Sequence, residues 1–285
     1  MVNPLLTTIK QSRRRLLYGI VATAVALGLI VGTANPAPAQ SWLDLILRGA
    51  QIIQLSTMSD RQEMRLGAQI NDQIIGSGEG QFQLYRDDRI QDYVERIGDR
   101  LVPYSQRSDL DYVFQVVQDN AVNAFATMGG YVYVTTGLMK TADNEAQLAS
   151  VVGHEIGHIV GRHAVKQLRQ AAIAQGAMTA AGVEDSVLVN IAVELGISRP
   201  HSRDDEREAD MLGLDNITQA GYAPSAMPAF MAKLMSASSP PTFLSTHPSV
   251  SSRVEDLSAQ IDPATANQGD GLDAATYQAT VASLP

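Results

Sequence analysis

The chain has 285 residues, no cysteine, 21 basic and 30 acidic side chains, and a formal charge of −9. Without cysteine there is no disulfide framework, thiolate metal site, cysteine nucleophile or cysteine-linked lipid, so any metal must be held by imidazole and carboxylate. The acidic balance argues against nucleic acid and anionic membrane surfaces as partners, while 45% hydrophobic and 18% charged residues suit a folded globular chain.

Residues 1–39 read as an export segment. Lys10, Arg13, Arg14 and Arg15 make a positive start, Leu16 to Val31 is apolar and uncharged, and Ala37-Pro38-Ala39 offers a small-x-small cleavage site. The segment is removed as a signal peptide or kept as an anchor, its apolar stretch being close to spanning length. Either way the body of the chain is expected outside the cytoplasm, in a periplasm or an equivalent compartment. Removal of residues 1–39 would leave a formal charge of −13.

Residues 40–58 form an amphipathic helix carrying Trp42, Leu45, Ile46, Ile52 and Ile53, which packs on the core or lies on a membrane. Ser59 followed by Gln62-Glu63 is a capping pattern and opens a helix to Ile75. Ile90 to Val102 is a further helix, stopped by Pro103. Asp111 to Val117 alternates as a strand, and Gly129-Gly130 turns the chain between two strand-like runs, the second being Tyr131 to Thr135. No internal repeat is visible. Residues 59–262 make one domain, and 263–285, small and polar, read as a flexible tail.

A long helix starting near Asn144 carries the sequence VVGHEIGHIVGRH. His154 and His158 are four residues apart, about one helical turn, so both imidazoles share a face and can bind one zinc ion. Glu155 follows the first histidine, where it can act as general base on a water activated by the metal. Val151, Val152, Ile156, Ile159 and Val160 bury this helix, and a buried histidine pair with a glutamate between needs partners. His163 stands about 180° around a continued helix from His154, so it is expected as a partly exposed or outer-sphere residue and not as a ligand.

The third ligand is read as Glu206 in SRDDEREAD. Glu206 and Asp210 share one face of a helix from Asp204 to Ala220, so one carboxylate can ligate while the other orients a ligand histidine. Glu208 points elsewhere, toward solvent.

Five stretches, HEIGH at 154–158, EREAD at 206–210, NAFATMGGYVYVTTGL at 123–138, AGYAP at 220–224 and THPSVSSR at 246–253, together resemble metallopeptidase family forty-eight. That family includes the CAAX prenyl protease and the heat-shock protease HtpX. Within it the chain is most similar to the exported Oma-type branch that includes the beta-barrel assembly-enhancing protease. The resemblance implies an α+β, mostly helical gluzincin-type domain with one zinc ion per chain and a small sheet whose edge strand lies beside the site. It also implies an endopeptidase acting on misfolded or unassembled envelope proteins, with substrate added as an extended strand beside Tyr131 to Thr135. Val165 to Ile197 is expected as a helical hairpin over the site.

By the same resemblance His247 and Arg253 lie near the active site and can support the oxyanion, Arg253 alternatively serving as a structural ion pair. His247, in a loop after SASSPP, can instead occupy the open metal position and displace the water. A chaperone-like binding module of the same fold is the rival reading, and it gives Glu155 no physical purpose.

Overall fold

A computed structural model describes residues 58–76, 80–174, 185–248 and 250–285. The export segment, and all but the last residue of the amphipathic helix expected over 40–58, lie outside the described residues. Helix α1 (Asp60–Ile75) opens with the expected capping box between Ser59 and Gln62. Helix α2 (Asp88–Leu101) starts on Asp87, whose carboxylate accepts from Arg89 N, and buries Ile90, Val94, Ile97 and Leu101 on one face.

Strands β1 (Val113–Val117), β2 (Ala124–Ala126) and β3 (Tyr131–Thr135) form one sheet in the order β1-β3-β2. β1 runs parallel to β3, with Val113 opposite Tyr131, and β2 runs antiparallel to it, with Ala126 opposite Val132. Tyr131 to Thr135 is therefore the central strand and not an edge, which corrects the expectation above. The Gly129-Gly130 turn, with φ of 81° and 99°, pairs β3 with β2. The parallel return of β1 then covers the other side of β3, a long-range pairing that local patterning does not encode. The edge nearest the histidine helix is β2.

Alternation along the strands divides the core. Val132 and Val134 join Phe114 and Val116 beneath α2 and the histidine helix. On the opposite face Phe125 stacks on Tyr133 at 4.6 Å, and this layer is closed by Leu66, Ile70 and Ile74 of α1. Helices α3 (Thr136–Thr141) and α4 (Glu145–Val160) follow, then α5 (His163–Ala174) and α6 (Asp185–Ser198), which pack on one another. α6 also packs on α1 and β2. Among the described residues no helix is long and apolar enough to cross a membrane.

The chain continues through α7 (Arg203–Gln219), α8 (Ala226–Met235), α9 (Thr242–Thr246), α10 (Val250–Gln260) and α11 (Ala274–Val281). The last of these corrects the flexible tail expected over 263–285. Tyr277, Val281 and Leu284 recur at helical spacing and are buried, and the Tyr277 hydroxyl donates to Met139 O at 2.6 Å. Gly271 O accepts from Ala146 N in the first turn of α4 at 2.9 Å, and Tyr222 bridges to Asp270. Small polar neighbours diluted these three anchors in the sequence.

Candidate metal centre

Helix α4 is fixed at both ends. Asn144 caps it, and Glu145 in its first turn accepts from the Tyr93 and Tyr222 hydroxyls at 2.8 and 3.0 Å. At the far end Arg107 donates to Ile159 O at 2.9 Å while pairing with buried Glu63, a cation suited to a helix C-terminus. α7 crosses α4 closely enough for backbone contact. A Cβ on Gly157 would lie 2.6 Å from Ala209 O, and one on Gly213 would lie 2.9 Å from His154 N. Glycine at these positions lets the two helices approach and brings Glu206 and Asp210 to the histidines.

Four donors converge where α4 and α7 meet the end of α9: His154, His158, Glu206 and His247, all buried. His154 Nε2 is 3.1 Å from His158 Nε2 and 3.3 Å from His247 Nδ1. Glu206 Oε1 is 3.3 Å from His158 Nε2 and 3.0 Å from His247 Nδ1, and Oε2 is 3.6 Å from His154 Nε2. Ligands about 2.05 Å from a tetrahedral ion stand about 3.3 Å apart, so these spacings match the edges of such a site. The other ring nitrogens have company of their own: His154 Nδ1 is 3.0 Å from Asp210 Oδ1, and His158 Nδ1 is 2.8 Å from His163 Nδ1. With protons there, lone pairs and a carboxylate face one another across the centre, an arrangement that a cation relieves. The donor set fits a divalent metal.

Glu155 is fully buried, and neither carboxylate oxygen has a hydrogen-bond partner; Oε1 lies 3.5 Å from His247 Nε2. Burial pushes its pKa up. Burial likewise drives His158 well below the ordinary imidazole range and His201 down to about 3. Burial would lower His247 as well, but the Glu206 and Glu155 carboxylates override it and raise it. Glu206 and Asp210, which burial alone would raise, are held low. The His247 and His158 imidazoles act on Glu206, and His154 and Arg253 act on Asp210.

Arg253, itself buried, lies behind the carboxylates. Its Nε and Nη2 donate to Asp210 Oδ2 and Oδ1 at 2.5 and 2.7 Å, and its Nη1 donates to Glu206 Oε2. The guanidinium is thus aimed at Asp210 and Glu206, the ion-pair alternative of the two considered for it.

Two further histidines enter the site. Of the two places expected for His163, it takes the outer-sphere one and is completely buried: α4 stops, Arg162 takes a left-handed φ of 53°, and His163 is turned back toward His158. His201 stacks on His158 at 4.0 Å, accepts from Gln167 Nε2 at Nδ1, and its backbone N donates to Thr246 O. All five histidines of the chain gather here. Glu208, half-exposed as expected of a solvent-facing residue, still reaches His163 Nε2 at 3.2 Å.

The sequence profile described as Peptidase family M48 matches residues 88–261. Over 261 residues the chain is 31% identical to the Beta-barrel assembly-enhancing protease of Escherichia coli (strain K12), covering 85% of this chain and 52% of that protein. It is 32% identical over 172 residues to Mitochondrial metalloendopeptidase OMA1 of Schizosaccharomyces pombe (strain 972 / ATCC 24843), covering 58% of this chain and 51% of that protein. The chain spans about half the length of these curated relatives.

Proposed function

Because the chain belongs to peptidase family M48, we propose that it is a zinc metalloendopeptidase whose ion is held by His154, His158 and Glu206. The observation that carries this reading is the set of donor spacings, with Glu155 buried beside it and free of any hydrogen bond. Three nitrogen and oxygen ligands with no thiolate suit zinc with one position left for chemistry. When bound, zinc supplies Lewis acidity toward water and the scissile carbonyl.

The chain's own residues do the rest. Glu155 takes a proton from the attacking water and passes it to the departing amide nitrogen, acting first as base and then as acid. Asp210 holds His154, and Arg253 holds Asp210 and Glu206 in place. The substrate strand adds to β2. Thr127 N donates to Tyr131 O and Thr135 N to Asn123 O, so odd-numbered residues face β3 and the peptide groups of Ala124 and Ala126 face outward. The export pattern in residues 1–39 supports an extracytoplasmic location, with unassembled or misfolded envelope proteins as substrates.

In this arrangement His247 Nδ1 stands among the donors and would take the fourth position of a bound ion, with Nε2 3.5 Å from Glu155 Oε1. The same segment is tied to the chain just before β2, since Phe243 N donates to Val122 O at 3.0 Å. A cleft of about 510 Å³, lined by Val122, Leu234, Pro240 and Pro241 among others, lies beside this segment.

Metal analysis beside a proteolysis assay tests the reading. Purified protein should contain one zinc and cut an unstructured substrate until chelator is added. Glu155→Gln should keep zinc and lose at least ~10²-fold in turnover, whereas Glu206→Gln should lose the metal. Near-normal turnover in Glu155→Gln would exclude it as the base, and full zinc content in Glu206→Gln would exclude that ligand.

A further inference from the structure

We propose that His163 is a positioning residue: it fixes the His158 tautomer through an imidazole–imidazole hydrogen bond and hands that bond on to Glu208. The inference rests on the reading of His158 as a metal ligand. His158 Nε2 is the nitrogen turned toward His154 and Glu206, and a nitrogen that gives its lone pair to a cation carries no proton. The single proton of the neutral ring then sits on Nδ1, which lies 2.8 Å from His163 Nδ1. Two lone pairs at that distance would repel, so His163 Nδ1 accepts. Its own proton is thereby placed on Nε2, which faces Glu208 Oε2 at 3.2 Å and Asp205 Oδ1 at 3.5 Å. Each of the four ring nitrogens of His158 and His163 thus has one role, and each role follows from its neighbour.

The surroundings favour Glu208 as the final acceptor. Asp205 already receives the Lys166 ammonium and the Ser202 hydroxyl. That ammonium also argues against a second ion among His163, Asp205 and Glu208, although their donor atoms lie within 4.8 Å of one another. Local backbone serves the contact: Arg162 turns the chain back, and a Cβ on Gly161 would lie 2.4 Å from His163 Nε2. The two ligand histidines are thus supported differently, His154 by a carboxylate directly and His158 by an interposed imidazole. A ligand whose outer hydrogen bond is removed commonly loses 10- to 100-fold in metal affinity.

Zinc competition titrations on the full chain test this. Asparagine can set its amide oxygen near the place of Nδ1, whereas glutamine sets its oxygen nearer Nε2. His163→Leu and His163→Gln should therefore weaken zinc by about 10- to 100-fold, and His163→Asn should stay within about threefold of the parent. Nitrogen-15 spectra of the zinc-loaded parent should place the proton of His158 on Nδ1 and that of His163 on Nε2. If His163→Leu fails to fold, the asparagine–glutamine pair, matched for metal-free melting temperature, carries the comparison. Equal affinity for those two variants would overturn the proposal, as would a second zinc equivalent in the parent that His163→Leu removes. A parent that binds no zinc would instead overturn the reading beneath it.

Discussion

His247 Nδ1 lies 3.0 Å from Glu206 Oε1, so a residue from the end of α9 stands among the donors supplied by α4 and α7. The contact joins the segment bonded to Val122, just before β2, to the group that would hold the metal. His247→Ala should therefore raise basal proteolysis of an unstructured substrate while zinc is retained. If the closed form is populated about nine to one, the rise is limited to about tenfold. Lower activity at equal zinc content would mean that the imidazole assists the reaction and does not block it.

Arg253 is the cation between two buried carboxylates, so its loss leaves charge unpaired in the interior. Arg253→Met should destabilise the protein by about 3–5 kcal/mol and weaken zinc at the same time. Denaturant unfolding with and without zinc measures both. Unchanged stability together with reduced turnover would return Arg253 to the role of oxyanion donor.

Gly157→Ala tests the close crossing of α4 and α7. The added methyl meets Ala209 O at 2.6 Å, and relief requires the helices to separate. The expected cost is about 1–3 kcal/mol in stability, accompanied by weaker metal binding, because Glu206 and Asp210 move with α7. A variant with parental melting temperature and zinc affinity would show that the crossing has slack.

Much of this site is legible in the sequence. His154, Glu155 and His158 are legible because one helix places i and i+4 together, and Glu206 with Asp210 repeats that logic on a second helix. What escaped depended on chain breaks and long-range pairing. A continued helix sends His163 away from His154; the actual helix ends at Val160 and a left-handed Arg162 brings the ring back. The central place of Tyr131 to Thr135 depends on a parallel strand from residues 113–117, and nothing in either stretch announces the other. Gly157 and Gly213 mark the crossing, but only the pair of helices gives them meaning.

Tyr277→Ala tests the integration of the C-terminal segment. The ring is buried beside Tyr93 and its hydroxyl bonds Met139 O, so removal should cost about 3–5 kcal/mol. Thermal unfolding reads the loss directly. A melting temperature unchanged from the parent would restore the picture of a tail.

Closure of the first turn of α4 by Gly271 bears on when the centre forms during synthesis. Chains are made from the N-terminus, so His154, His158 and Glu206 leave the ribosome well before Arg253 and Gly271. Until residues 253–271 emerge, Glu206 and Asp210 have no guanidinium behind them and Ala146 N lacks its acceptor. The nascent chain therefore carries the histidine motif before the residues that brace the centre have been made.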